Sequence, residues 1–439
     1  MKRESRSRND PSPNRVTLLN RYFYPDHAAT SEFLSDLSFA LSRRGFRVTV
    51  ITSRLRYDDP AAALPSQETV QEVDIRRVWT SRRGRHRLIG RSLDYVSFYL
   101  SAGWCLWRLA RRGDVIVAMT DPPLLSVIVA PVALMKGARL VNWLQDLFPE
   151  VAEALNVGGA PARIILRTLR RVRNWSLRSA VMNIVPGMSV AAKLKQEGIA
   201  PEHIRMIENW SDGALIVPIP PAGNQLRRDW RLNEHFVVGY AGNLGRAHDL
   251  TTIVEAMTLL QERSASSTAD KDAPPIMFVF VGGGAQRGLL EREVLQRRLT
   301  NVRMFPYQPR ETLAETLGVA DLHLVSLDPR LEGLIVPSKF YGIAAAGRPA
   351  LYIGSPEGEI ARLIEEARCG FTVGSGDAEG LVARILDFER DPELCRSMGA
   401  RARAAFEQHW DKPHALDEWE QVLTTALQLT SEATPGLRD

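Results

Sequence analysis

Apolar residues come in short continuous runs separated by amphipathic stretches. RVTLLN (15–20) and RVTVITS (47–53) have the length and β-branched content of strands buried on both faces. Between them Phe33, Leu37, Ala40 and Leu41 repeat on one helical face, which predicts a helix over 30–44. Thr30 reads as its N-cap, and Arg43–Arg44–Gly45 close it with last-turn cations and a residue suited to a left-handed terminator. A strand, a helix and a second strand in this order predict a parallel, doubly wound sheet.

The pattern continues with strands at 114–119 (DVIVAM), 138–144 (ARLVNWL) and 180–185 (AVMNIV). After Asn209–Trp210–Ser211–Asp212 and the proline-rich VPIPPAG (217–223), it begins again at FVVGYAG (236–242). Further strands follow at 276–284, 302–305, 322–327 and 350–354, interleaved with helices. The expected organisation is a disordered leader (1–14), a Rossmann-like domain (15–212), a second one (213–410) and a C-terminal helix (411–430) packing back on the first. Residues 264–275 read as a surface insertion. The fold class is therefore α/β, with two parallel-sheet domains facing each other across a cleft, and a ligand is expected at the carboxyl ends of the strands.

Composition narrows the class without naming a reaction. Apolar residues make up 45% and charged residues 24% of 439 positions, ordinary for globular domains. Three scattered cysteines (Cys105, Cys369, Cys395) offer no disulfide framework and no CxxC pair, which points to a reducing, cytoplasmic setting. The uncharged stretches 95–107 and 122–135 fall short of the roughly 18–20 residues of a spanning helix. The net charge of +5 conceals an asymmetry: residues 14–212 carry +10 and residues 213–439 carry −7. Of the 56 cations 49 are arginines, which suit planar contacts to phosphate.

Candidate chemistry lies in three glycine-bearing loops of the second half. In EGLIVPSKFYGIAAAGRPALYIG (332–354), Pro337 interrupts regular structure and Ser338 can cap a short helix ended by Gly347. The first turn of that helix, with Lys339, reads as a diphosphate site. GYAGNLGRAHDL (239–250) places Gly242, Gly245 and Arg246 between a strand and a helix. VGGGAQRG (281–288) bridges strand and helix too, but Arg287 breaks the dinucleotide pattern. No His/Cys/Asp constellation suggests a metal; Asp58–Asp59, Asp270 and Asp272 read as solvated charges.

In order and spacing these elements resemble the bacterial glycosyltransferase family 4, retaining sugar-nucleotide transferases of GT-B architecture, over about residues 15–425. YFYPDHAATSEFLSDLSFAL (22–41), QDLFPE (145–150), IENWSD (207–212), GNLGRAHD (242–249) and LEGLIVPSKFYGIAAAGRP (331–349) carry the resemblance, closest to exopolysaccharide and O-antigen enzymes. It implies transfer, without a metal and with retention, from a nucleotide-diphosphate sugar of the UDP kind to a saccharide or lipid-linked acceptor. No cofactor is implied. Glu332 would correspond to the first glutamate of the family's Glu, seven residues, Glu pattern and face the donor sugar. The second glutamate falls on Gly342, so its ribose contact is missing or comes from Glu357 or Glu359. Asn243 and His248 stand at the family's usual arginine and lysine positions, which leaves Arg246, partnered by Lys339, to stabilise the leaving diphosphate. Donor contacts implied are Gly242, Asn243, Gly245, Gly283, Gly284, Tyr307, Leu334, Ile335, Ser338 and Glu359. Asp146 would touch the acceptor hydroxyl, and Asp26, His27, Arg87 and Arg91 would hold the acceptor.

SRRGRHRLIGRSLDYVSFYLSAGWCLWRLARR (81–112) joins arginines to an aromatic-rich helix. In 162–180, Ile165, Leu169, Val172 and Ser176 read as one face with arginines on the other. Basic amphipathic helices of this kind suit an anionic membrane surface, which predicts a peripheral enzyme at the inner face of the cytoplasmic membrane. The alternative is that these helices simply cover a sheet. Nucleic acid is not expected, since no recognition motif accompanies the arginines. Rival readings are a sugar-nucleotide epimerase of GT-B fold, a non-catalytic sugar-nucleotide-binding protein, and a dinucleotide oxidoreductase. A missing G-x-G-x-x-G after the first strand argues against the last.

Overall fold

The computed structural model of the chain describes residues 14–26, 28–56, 64–83, 88–156, 159–265 and 273–429. The leader before Asn14, most of the 264–275 insertion, His27, Asp58, Asp59, Arg87, Asp270 and Asp272 lie outside the described residues. The chain divides into two units. One comprises Met1–Pro186, Val190–Ile207 and Leu416–Asp439, the other Gly187–Ser189 and Glu208–Ala415. Residues 208–212, assigned to the first domain by sequence, thus belong to the second unit.

The first unit is built on a sheet of β1 (Arg15–Leu19), β2 (Arg47–Ser53), β3 (Gln67–Val70), β4 (Val73–Val78), β5 (Val115–Met119), β6 (Arg139–Trp143), β7 (Met182–Val185) and β8 (Ile204–Met206), in the order β3-β4-β2-β1-β5-β6-β7-β8. All neighbours are parallel except β3 and β4. Val16 at the centre lies opposite Val48 on one side and Val115 on the other, so these strands are apolar on both faces. β3, β4 and β8 carry no continuous apolar run, and sequence reading passed over them.

The helix of 29–43 begins a residue earlier than expected. Ala28 occupies the cap position without a side-chain bond, and Thr30 Oγ1 instead accepts from Asn20 Nδ2 at 3.3 Å. At the C-terminus a helix covers Lys412–Gln428, and from Leu416 onward it belongs to the first unit. There Trp419 meets Trp143 with ring centroids 4.5 Å apart, and Arg44 reaches Asp417 at 2.5 Å and Glu420 at 2.7 Å.

The helix Gly159–Arg178 corrects the expected faces. Leu166, Arg173, Ser176 and Leu177 are buried while Ile165 and Val172 are exposed. Arg173 pairs with the buried Glu150, and Arg170 pairs with Glu150 and Glu153, so both arginines serve the fold and Arg173 is withdrawn from solvent. Leu88–Leu109 forms a helix with Leu93, Val96, Leu100, Trp104 and Trp107 exposed at helical spacing. Among the described residues no helix is long and apolar enough to cross a membrane.

The second unit is a six-stranded, wholly parallel sheet. Its strands are β9 (Phe236–Ala241), β10 (Ile276–Val281), β11 (Val302–Phe305), β12 (Leu322–Ser326), β13 (Ala350–Ile353) and β14 (Gly370–Val373), in the order β11-β10-β9-β12-β13-β14. The order turns around at β9 and β12, and in such sheets the loops leaving the carboxyl ends at the reversal carry ligands.

Candidate functional site

β9 is followed by Gly242, whose φ of +114° lies in the region that favours glycine and whose missing side chain faces open space. The loop 242–245 runs beside the loop leaving β10. Leu244 N donates to Gly283 O at 2.7 Å, and Gln286 Nε2 bridges Gly245 O at 2.6 Å and His248 O at 2.9 Å. A Cβ on Gly284 would stand 2.5 Å from Leu244 backbone atoms, so this glycine permits the two loops to close on each other. Tyr307, 55% exposed, lays its ring edge 3.0 Å from where a Cβ on Gly283 would stand. Together Gly242, Gly283 and their neighbours line a hollow floored by Tyr240, Phe280 and Met304 and bordered by Arg287, whose guanidinium donates to Gly282 O and Phe305 O.

Lys339 opens the short helix Lys339–Ala345 and reaches across to this loop. Its ammonium lies 3.9 Å over the ring of Tyr240, donates to the Tyr240 hydroxyl, and donates to Asn243 O at 3.3 Å. Desolvation pushes the lysine down to about 7, and it holds the Tyr240 hydroxyl well above its ordinary value. His248, its Nδ1 bound to Ser326 O at 2.7 Å, is lowered to about 3 by burial and by Lys339, and is therefore neutral at physiological pH. Arg246 is exposed and has no ion-pair partner among the described residues. Ser338 precedes the helix but makes no side-chain cap.

Other expected donor contacts serve the fold. Leu334 N and Ile335 N both donate to Leu331 O, at 3.0 and 3.2 Å, so neither amide is offered to a phosphate. Glu332 accepts from Glu359 N at 3.0 Å and from the Tyr352 hydroxyl at 3.2 Å, placing its charge at the start of the helix Glu359–Ala367. Glu332 and Gly342 are ten positions apart, two more than the Glu, seven residues, Glu pattern has. Glu359 is buried, accepting from Ser189 N at 2.8 Å and from Arg362 at 2.5 Å, so each oxygen already holds a partner of the fold. Glu357 is exposed. Gly342 is buried against Leu317, Ser211 and Ile216.

In the first unit, Asp146 follows β6. Desolvation of its carboxyl, and then the nearby Asp121, raise it to about 6. Asp26 is buried and accepts from Ala28 N at 3.3 Å, which fixes the turn into the first helix. Arg91 Nε donates to the Tyr95 hydroxyl at 2.6 Å. His27 and Arg87 lie outside the described residues. Sequence reasoning missed Tyr240 and Gln286; an aromatic two residues before Gly242 and a glutamine shortly after the glycine run were their local signals.

Comparison with known proteins gives this geometry its family. Residues 31–212 match the model of Glycosyltransferase Family 4, and residues 224–405 match that of Glycosyl transferases group 1. WbjE of Pseudomonas aeruginosa, named as a glycosyltransferase, is 26% identical over 411 residues, covering 92% of this chain and 96% of its own. WcaI of Escherichia coli K12, named for colanic acid biosynthesis, is 27% identical over 65% of this chain and 68% of its own. Sucrose-phosphate synthase of Thermosynechococcus elongatus superposes with a TM-score of 0.73 at 16% identity, covering 94% and 99% of the two chains. HepE of Anabaena in complex with UDP-glucose does so with 0.68 at 17% identity, covering 94% and 99%. Both halves of the molecule thus match glycosyltransferase models, its two parallel-sheet units have the GT-B fold, and the chain belongs to the family 4 glycosyltransferases as a transferase enzyme.

Proposed function

We propose that this glycosyltransferase takes a sugar from a nucleotide-diphosphate donor, of the UDP kind, and transfers it with retention to a saccharide or lipid-linked acceptor during cell-surface polysaccharide assembly. The observation that carries this reading is the convergence of Lys339 on the loop 242–245, a cation beside a glycine whose open side faces away from the protein. Complexes of HepE with UDP and with UDP-glucose support the class of donor, and WcaI's name supports the class of product.

Breaking the anomeric C–O bond leaves a diphosphate with an added negative charge and a sugar with oxocarbenium character. A preorganised cation and backbone amides aimed at the leaving oxygens stabilise that separation. Lys339 supplies the charge when protonated. Arg246, just beyond the loop 242–245 and without an ion-pair partner among the described residues, supplies a second. A diphosphate binding beside Lys339 raises its proton affinity, because the opposite charge offsets the desolvation that lowers it. No metal is required in this scheme. Asp146, with a carboxyl near 6, is suited to accept the acceptor hydroxyl proton.

The chain is proposed to work in the cytoplasm, at the inner face of the membrane. Support comes from the exposed stripe of Leu93, Val96, Leu100, Trp104 and Trp107, which continues into the basic residues Arg108, Arg111 and Arg112. A panel of nucleotide sugars in a thermal-shift assay tests the donor, since only a ligand of the folded state raises the midpoint. Stabilisation by UDP-sugars that disappears in Lys339→Ala supports the reading. Absence of any nucleotide-dependent shift removes it.

A further inference from the structure

Arg21 leaves the carboxyl end of β1 and is fixed there by its main chain. Its N donates to Asp121 O at 2.6 Å, and its O accepts from Ser53 N and from Thr52 Oγ1, each at 3.0 Å. The residue is 5% exposed, yet among the described residues its Nε is buried without a hydrogen-bond partner. The nearest carboxylate among them is Asp94, its Oδ2 at 3.9 Å and beyond hydrogen-bond reach, and Asp94 Oδ1 already accepts from Ser81 Oγ at 2.5 Å and Arg83 N at 3.0 Å. The guanidinium is instead stacked at 5.2 Å from the ring centroid of Tyr22 and 5.0 Å from that of Tyr95.

This is not how the same protein treats its structural arginines. Arg227, equally buried and with an Nε that likewise lacks a partner, commits both terminal nitrogens, holding Asp321 with two bonds of 3.0 Å and donating to Val319 O at 2.7 Å. A buried guanidinium without such bonds costs stability, because its charge has left water and nothing has replaced the lost hydrogen bonds. Arg91 reaches the same aromatic ring, its guanidinium 5.3 Å from the Tyr95 centroid and bound to the hydroxyl, and it stands at the exposed side. Two planar forks are thus arrayed on one tyrosine at the carboxyl edge of β1 and β5, one buried with an unmet Nε and one open to solvent.

We infer that Arg21 and Arg91, positioned by Tyr95, form an anion site in the first unit for a phosphoryl group, the phosphate or diphosphate by which the acceptor is attached to its carrier. The assignment to the acceptor rests on the proposed transferase reading; the anion site itself does not. A phosphoryl group offers several oxygens in a geometry that matches the guanidinium fork, which a halide or a neutral hydroxyl does not. Asp94 and Asp121 face the same cluster and offset part of its charge, so recognition runs through directed hydrogen bonds and not through excess positive potential.

The test uses the full chain and inorganic pyrophosphate in a thermal-shift titration, with Lys339→Ala, Arg21→Gln and Arg91→Gln as variants. Stabilisation that survives Lys339→Ala and weakens at least about tenfold in apparent affinity in both arginine variants is expected. Stabilisation lost in Lys339→Ala and kept in the arginine variants overturns the inference, as does its absence from the wild-type chain. If Arg21→Gln does not fold, Arg91→Gln, at an exposed position, decides alone. Dodecyl phosphate and glucose 1-phosphate then separate a lipid-borne from a soluble phosphoryl group, and glucuronate binding as tightly as either overturns the phosphoryl assignment. UDP serves as the independent arm. If pyrophosphate protects through Arg21 while UDP never does, the donor reading fails and the anion site stands.

Discussion

Lys339 Nζ lies 3.9 Å over the ring of Tyr240, bound to its hydroxyl and to Asn243 O, so the cation of one loop is seated on the strand end that launches another. Desolvation pushes its pKa down to about 7, so above that pH diphosphate binding is expected to draw a proton onto it. Calorimetry of UDP binding at pH 8 in buffers of different ionisation enthalpy is expected to show uptake of up to one proton. Lys339→Arg, charged throughout this range, should bind without uptake. Uptake unchanged in that variant would sink the assignment.

The same lysine contributes to stability with a defined sign. Its folded pKa lies below its unfolded value, so the unfolded chain binds more protons between about pH 7 and 10.5, and the group's contribution to stability rises with pH across that window. Denaturant titrations at pH 7 and pH 9 should show a smaller gain for Lys339→Met than for the wild-type chain.

Arg246 has no ion-pair partner to lose among the described residues. Arg246→Ala is expected to leave the melting midpoint within experimental error and to lower turnover by about two to three decades, the usual cost of removing one leaving-group donor. Lys339→Ala should cost turnover on the same scale. Wild-type turnover of both variants at saturating donor would be incompatible with their role.

Glu332 separates a structural from a catalytic carboxylate. Its bonds to Glu359 N and Tyr352 predict that Glu332→Ala destabilises the chain by about 1–3 kcal/mol, through a lost helix-terminal charge and an unmet buried hydroxyl. Urea denaturation measures this directly. Turnover abolished with stability intact would instead place Glu332 against the sugar.

The exposed stripe on the helix Leu88–Leu109 predicts sedimentation with vesicles containing anionic lipid and weaker recovery with neutral lipid. Leu100→Ser with Trp104→Ser should abolish the difference without lowering stability, because both side chains are already in water. Equal recovery with the two lipids removes the membrane claim.

The central strands were legible in the sequence because β1, β2, β5, β9 and β10 are buried on both faces and must be apolar throughout. β3 and β4 form one edge of the first sheet and β8 the other, and polar residues interrupt their pattern, so no run announced them. Helix faces were harder. In Gly159–Arg178 an arginine can be solvated or can anchor a buried glutamate, and only the position of Glu150 shows that Arg173 does the latter.

Glycines and lysine marked the loops that meet at Lys339 from sequence, since the need for close backbone approach and for positive charge is written in residue type alone. The order and spacing of those loops likewise carried the family. Which carboxylates were already taken was not legible: Glu332 and Glu359 both suited a ligand by sequence, and both hold helix starts in the folded chain. Nor could sequence distinguish Arg21 from the other arginines. A hydrogen bond made or left unmade depends on which groups the fold brings within about 3 Å, and that distance exists only once strands far apart in the chain have been laid side by side.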